Sequence, residues 1–203
     1  AAPIYVLENH LPEDPPAIED LMSQKTKAPS IGWAGSLGHI SDLLAVVPVI
    51  RELMATHRDL EFHVMGNDAI PSLLGLDAAR VKYTAWGSMQ EYFKFWRPIR
   101  IGIAPLLDTG YNRCRSDIKA IEMSSRAVLP IVSELLPYRD FIAKTGAPTF
   151  ESYKQLFDLL SAFVTDPAGA GERTARAYEY VRRDRVGPGR DERLKLYESF
   201  LPR

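Results

Sequence analysis

The chain has 203 residues, 46% of them hydrophobic, with 25 Lys+Arg against 26 Asp+Glu and one cysteine. That length supports a real core in one α/β domain or two small ones, and a net charge of −1 leaves no cationic surplus for nucleic acid, so no nucleic-acid partner is expected. Cys114 alone excludes an internal disulfide or multi-cysteine zinc site and fits a reducing, cytoplasmic setting, while no apolar run reaches the ~20 residues that span a bilayer.

The chain begins at Ala1 rather than Met, which fits a processed product or a piece of something longer. Ile4-Tyr5-Val6-Leu7 reads as a short strand, and the Pro- and acid-rich LPEDPPAIED after it as a linker that holds no helix before Pro16. From Ser30 the pattern alternates. IGWA ends in Gly35-Ser36-Leu37-Gly38, and SDLLAVVPVIRELMATH follows as a helix with Ser41 at its N-cap and a kink expected at Pro48. Strand candidates then fall at 60–65, 81–85, 99–107 and 128–132, with only a short Pro71-bearing segment between the first two. SMQEYFKFW and SDIKAIEMSSR read as helices, DTGYNRCR as a polar loop, and a further helix starts at Pro137. Five apolar runs without period-2 alternation, each leading into a helical pattern, predict strands buried on both faces of a parallel sheet.

The expected fold is therefore α/β, a Rossmann-like doubly wound parallel sheet with extra C-terminal helices. Residues 1–29 form a strand and linker, 30–150 the Rossmann-like domain, and 151–203 helices packed on it. The arginines of AGERTARAYEYVRRDR are interspersed with acids and read as a solvated face.

Ligands of open parallel sheets lie beyond the strands' carboxyl ends, where helix N-termini converge. The segment around Ser116 and Asp117 carries the most chemistry. Either residue can cap the next helix, whose first-turn amides and dipole make an anion site. Arg115 stands just before that end, Lys119 one turn in, and Glu122 on the same face. Cations and amides would hold a diphosphate, and the carboxylate would accept from vicinal ribose hydroxyls. The same spacing also fits a surface helix with a Lys119–Glu122 or Glu122–Arg126 ion pair, worth only ~0.3–0.5 kcal/mol. His39 reads equally as a phosphate or sugar contact and as a loop hydrogen bond. Trp33 and Trp96 read as core, while Trp86, at a strand end, suits ligand contact as well as packing.

SDIKAIEMSSRAVLPIVSELLPY resembles the donor-binding segment of GT-B fold glycosyltransferases of the group-1, family-4 type. IYVLENHL, IGWAGSLGHISDL, LEFHVMGN, VKYTAWGSMQEYFKFW and IGIAPLLDTGYN resemble other segments of that family in the same order, so the likeness covers nearly the whole chain. The resemblance implies the C-terminal, nucleotide-sugar-binding half of such an enzyme. An N-terminal acceptor-binding half would complete it, lipid-linked acceptors would place it at the periphery of a membrane, and the isolated domain would transfer sugar poorly. It further implies that Glu122 holds the ribose and that the amides at Ser116, Asp117 and Ile118 contact diphosphate and sugar. Gly35 and Ser36 would face the phosphates, Trp86 and Gly87 would flank the base, and Asn112 would lie in the donor loop. Arg115 and Lys119 would stabilise the leaving group. No metal or other cofactor is expected, since no Asp-x-Asp or carboxylate cluster appears.

Two departures from the family pattern stand out. Cys114 occupies the place of the first of the family's paired glutamates, eight positions before Glu122, and the Arg and Lys usual after the first strand are missing. Cys114 supports a rival expectation, a non-catalytic flavodoxin-like or degenerate glycosyltransferase module that serves in interaction.

Overall fold

The computed structural model describes residue 5 and residues 7–201. Ile4 and Val6 of the first expected strand lie outside the described residues. Leu7 to His10 carry no strand, and Leu11 instead forms an isolated parallel bridge to Val186. In chain order the elements are α1 (Ile18–Ser23), β1 (Ser30–Ala34), α2 (Ile40–Thr56), β2 (Glu61–Gly66), α3 (Ile70–Leu74), β3 (Val81–Ala85), α4 (Met89–Phe95), β4 (Ile101–Ala104), α5 (Gly110–Arg113), α6 (Ile118–Ser124), β5 (Leu129–Ser133), α7 (Arg139–Thr145), β6 (Thr149–Phe150), α8 (Tyr153–Thr165), α9 (Pro167–Asp184) and α10 (Pro188–Glu198).

All six strands are parallel, in the order β3-β2-β1-β4-β5-β6. The four inner strands are buried almost throughout, which is why their sequences run apolar without alternation. Edge strand β3 is half exposed. One core fills the face toward α2 and α8, with Trp33, Phe62, Ile50 and Leu160 wholly enclosed. The other fills the opposite face, where Trp96, Ile121, Phe141 and Val181 pack beneath α4, α6, α7 and α9. Two paired glycines open room for that second core. A β-carbon on Gly32 would lie 2.7 Å from Ile99 Cδ1, and one on its neighbour Gly102 would overlap Met123 Sδ.

Several local expectations are corrected. α2 begins at Ile40 after His39, with no side-chain cap, so Ser41 lies inside it. As expected, the helix runs through Pro48, since packing of Val46, Val47, Val49 and Ile50 into the core outweighs one missing amide. The strand expected over 99–107 is only Ile101–Ala104, ending at Pro105. The loop DTGYNRCR contains the one-turn helix α5, capped by Thr109 Oγ1, and α3 and the two-residue β6 stand where the sequence pattern marks no element. The Pro137 helix starts as a 3-10 turn, Leu136–Tyr138, before α7. α8 packs on α2, and α9 on α6, α7 and β5, so the C-terminal helices cover both faces of the sheet.

Candidate functional site

The strand order reverses between β1 and β4, and the loops leaving those two strands diverge around a cleft at their carboxyl ends. A cavity of about 230 Å³ lies there, walled by His39 from the first loop and by Cys114, Arg115, Ser116, Ile118 and Lys119 from the second. Five of the sequence-derived site residues, His39, Arg115, Ser116, Ile118 and Lys119, thus share one space.

The amino end of α6 faces this cavity uncapped, for a specific reason. Asp117 does not turn back onto the first-turn amides. Its carboxylate is taken by Arg185, whose Nη1 and Nη2 donate over 2.6 and 2.9 Å. Ser116 is no cap either, because its Oγ accepts from Asn9 Nδ2 at 2.7 Å. The N–H groups of Ile118 and Lys119 consequently have no protein acceptor among the described residues. The expected cap is therefore corrected, and the anion-binding end it was meant to close stays open.

Lys119 lies against the floor. Its Nζ donates to Ala34 O at 3.0 Å and sits 5.2 Å from the Trp33 ring centre. Burial, with Arg115 nearby, depresses its pKa to about 8. Gly35 is what lets it approach: a β-carbon there would lie 2.5 Å from the Trp33 ring and 3.0 Å from Lys119 Nζ. Arg115 stacks on Tyr111, 4.5 Å from the ring centre, and donates to its hydroxyl. His39 Nδ1 is 3.0 Å from Asp42 Oδ2. Burial and then Lys119 push its pKa down against the pull of Asp42, which favours the neutral ring.

Glu122 stands one turn deeper. Tyr92 on α4 donates to its Oε2 at 2.8 Å, and burial raises the carboxyl's pKa against the opposing effects of Tyr92 and Lys119. The Tyr92 ring in turn meets Trp86 edge-on at 6.3 Å. Trp86 is 57% exposed at the end of β3, whereas Trp33 and Trp96 are buried as expected. Gly87 beside it is also exposed, and a β-carbon there would run into Glu91, which closes a capping box with Ser88. A second string, Trp86–Tyr92–Glu122, thus runs beside the cationic cavity, and α6 carries both Lys119 and Glu122.

Two expected site residues are redirected. Asn112 is buried and donates to Asp42 Oδ1 at 2.8 Å and Leu107 O at 2.9 Å, so its amide fastens the loop after β4 to α2. The Asp117 side chain is buried in its ion pair, leaving only its backbone near the cavity. Sequence reasoning missed Tyr92, Asp42, Asn9 and Arg185. It also misread the arginine run. Arg182 and Arg183 are exposed, but Arg185 is 1% exposed and also donates twice to Asn9 O. Among the described residues no group of three His, Cys, Asp or Glu side chains is placed to hold a metal.

A larger cavity, about 420 Å³, opens between α2, α8 and the ends of β4 to β6. Asp42, Asp108, Glu134 and Glu151 line it, so it repels an anion and the cationic cavity is the better candidate.

No protein-family model and no curated protein matches the sequence. Solved structures do match in shape. The chain superimposes on the C-terminal domain of LpcC, a group 1 family glycosyl transferase from Francisella tularensis, with a TM-score of 0.64 at 15% identity, covering 80% of this chain and 89% of that one. The chain has the fold of a GT-B C-terminal domain. A mutant of S. aureus TarM, in complex with Fondaparinux, alpha-GlcNAc-glycerol and UDP, aligns with this GT-B domain at a TM-score of 0.69 and 12% identity over 88% of it. WaaG, a glycosyltransferase involved in lipopolysaccharide biosynthesis, aligns at 0.62 and 12% identity over 86%. The domain spans 36% of the TarM chain and 49% of the WaaG chain. No helix among the described residues is long and apolar enough to cross a membrane.

Proposed function

We propose that this GT-B domain is the nucleotide-sugar-binding half of a glycosyltransferase acting on a glycan or lipid-linked acceptor. The observation that carries the reading is the uncapped end of α6, open to a cavity that also holds Lys119 and Arg115. A diphosphate there would accept from the Ile118 and Lys119 amides and from both cations. Glu122, held in place by Tyr92, has no partner on Oε1 among the described residues and can accept there from a ribose hydroxyl. Trp86 offers a wall for the base. When the glycosidic bond to the donor breaks, negative charge grows on the departing diphosphate. Preformed amide and cationic donors stabilise that charge without a metal, in a site partly shielded from water.

The acceptor, and any base that activates it, would come from a second domain. Exposed apolar residues ring the strand ends on this side, among them Leu37, Trp86, Met89, Leu107, Tyr111 and Leu136, as expected of a face that another domain covers. The domain alone would bind nucleotide and transfer sugar poorly.

Calorimetric titration of UDP, GDP and dTDP tests this reading. At least one binds, unaffected by a chelator, and Glu122→Ala weakens it by ~1.5–3 kcal/mol through the lost charged hydrogen bonds. No binding, or no effect of Glu122→Ala, would favour the non-catalytic module instead. The observation on that side is Cys114, exposed where the resembled enzymes carry a carboxylate.

A further inference from the structure

At the opposite end of the strands, where β1 and β4 begin, a second cavity of about 100 Å³ lies beneath the α8–α9 junction. Lys25, Lys27 and Arg100 line it, and no Asp or Glu does. Among the described residues none of the three makes an ion pair. Lys25 is 8% exposed, and its Nζ donates to Trp96 O at 3.2 Å and Arg126 O at 2.8 Å. Arg100 Nε donates to Thr26 O at 2.8 Å, and the remaining guanidinium N–H groups have no acceptor among the described residues. The rest of the wall is mostly apolar, with Met22, Ile101, Phe163 and Val164.

Burying an ammonium costs free energy unless a counter-charge accompanies it. Two carbonyls satisfy part of the hydrogen bonding of Lys25 but do not neutralise it, and Arg100 aggravates the imbalance. The described residues supply no anion, while the cavity has room for one.

We propose that this cavity binds a small carboxylate with a short aliphatic arm, its head on Lys25 and Arg100 and its arm against Ile101, Phe163 and Val164. A carboxylate accepts from both cations at once, and the apolar walls favour it over a bare phosphate. The lining has the volume of a few water molecules, which limits the arm to a few carbons. The charged groups around Lys25 are Arg100 before β4, Lys27 after α1 and Arg126 after α6, the last with its guanidinium over Phe93. Burial and then Arg100 depress the Lys25 pKa to about 7 in the protein by itself. A bound anion favours the ammonium, so binding takes up a proton and affinity falls as pH rises above 7.

The test is a ¹⁵N-amide NMR titration of the whole chain with butyrate, 1-butanol and inorganic phosphate in parallel. Butyrate should shift the amides of Ser30, Ile101 and Ala127 saturably, and tenfold less tightly at pH 9 than at pH 7. 1-Butanol should leave them in place. Lys25→Met should abolish the shifts, and Arg100→Gln, at the half-buried mouth, should weaken them at least fivefold while the remaining spectrum stays native. Equal binding of butanol would overturn the proposal by showing an apolar hole only. Saturation by phosphate but not butyrate, or no saturable shift, would overturn it as well. No nucleotide enters the experiment, so its outcome is independent of the donor site.

Discussion

Gly35 has the buried Trp33 ring beneath it and the half-buried Lys119 amine beside it, so any side chain there must displace one of the two. Gly35→Ala should lower stability by ~1–3 kcal/mol through overpacking, visible as a fall in the urea midpoint without a change in slope. Lys119 gives a pH signature of definite sign. The unfolded chain keeps that proton up to the ordinary lysine value of 10.5, while the folded chain releases it at about 8. Between those values the unfolded state binds more protons, so stability rises with pH, by at most about 3 kcal/mol for a shift of this size. Urea melts at pH 7.5 and 10 should show a smaller rise in Lys119→Met than in the parent chain; equal rises would mean the amine is not buried as described. The types of these residues were legible in the sequence, as Gly after a strand and Lys one turn into a helix. Their burial was not, because it depends on Trp33 reaching across from β1.

At the scale of elements, α6 is held from outside its own sequence. Arg185, at the end of α9, draws the Asp117 carboxylate away from the helix end, and Asn9, from the chain's first segment, engages Ser116. Arg185→Met strands Asp117 as a buried unpaired charge and should cost ~3–5 kcal/mol. The Arg185→Met/Asp117→Leu double variant should cost markedly less than the sum of the singles, because the pair acts as a unit. A thermal-melt double-mutant cycle measures the coupling, and additive losses would show that the two side chains do not share an ion pair. Long periodic elements such as α2 and α8 were readable from their apolar spacing. α3, α5 and β6 were too short to carry a period, and contacts with neighbouring strands and caps fix them instead.

At the carboxyl ends of its strands, a chain of net charge −1 lines one cavity with cations and the neighbouring one with carboxylates. Nucleotide diphosphate affinity should therefore fall several-fold between about 50 and 500 mM salt, since partly exposed charges are screened over that range. Trp86 is the exposed indole beside the proposed base wall, while Trp33 and Trp96 are enclosed. Whichever of UDP, GDP and dTDP binds should change tryptophan emission in the parent chain, and most of that change should be lost in Trp86→Phe, the remainder coming from Trp33 beside Lys119. A change of full size in Trp86→Phe would move the base away from β3.

The sequence by itself determined the layered α/β architecture, the buried parallel strands and the loop regions where polar groups collect, because periodicity and glycine placement are local and each element writes them in its own residues. It also contained the collinear likeness that pointed to a GT-B fold. Only the tertiary structure decided that the end of α6 is open, that Asn112 and Asp117 turn inward, that Tyr92 holds Glu122, and that one arginine of an apparently solvated run is the most buried of them. Each of those outcomes depends on a partner tens of residues away, at the distances of charge pairing and hydrogen bonding. No spacing within a single segment can encode which carboxylate a distant guanidinium will reach.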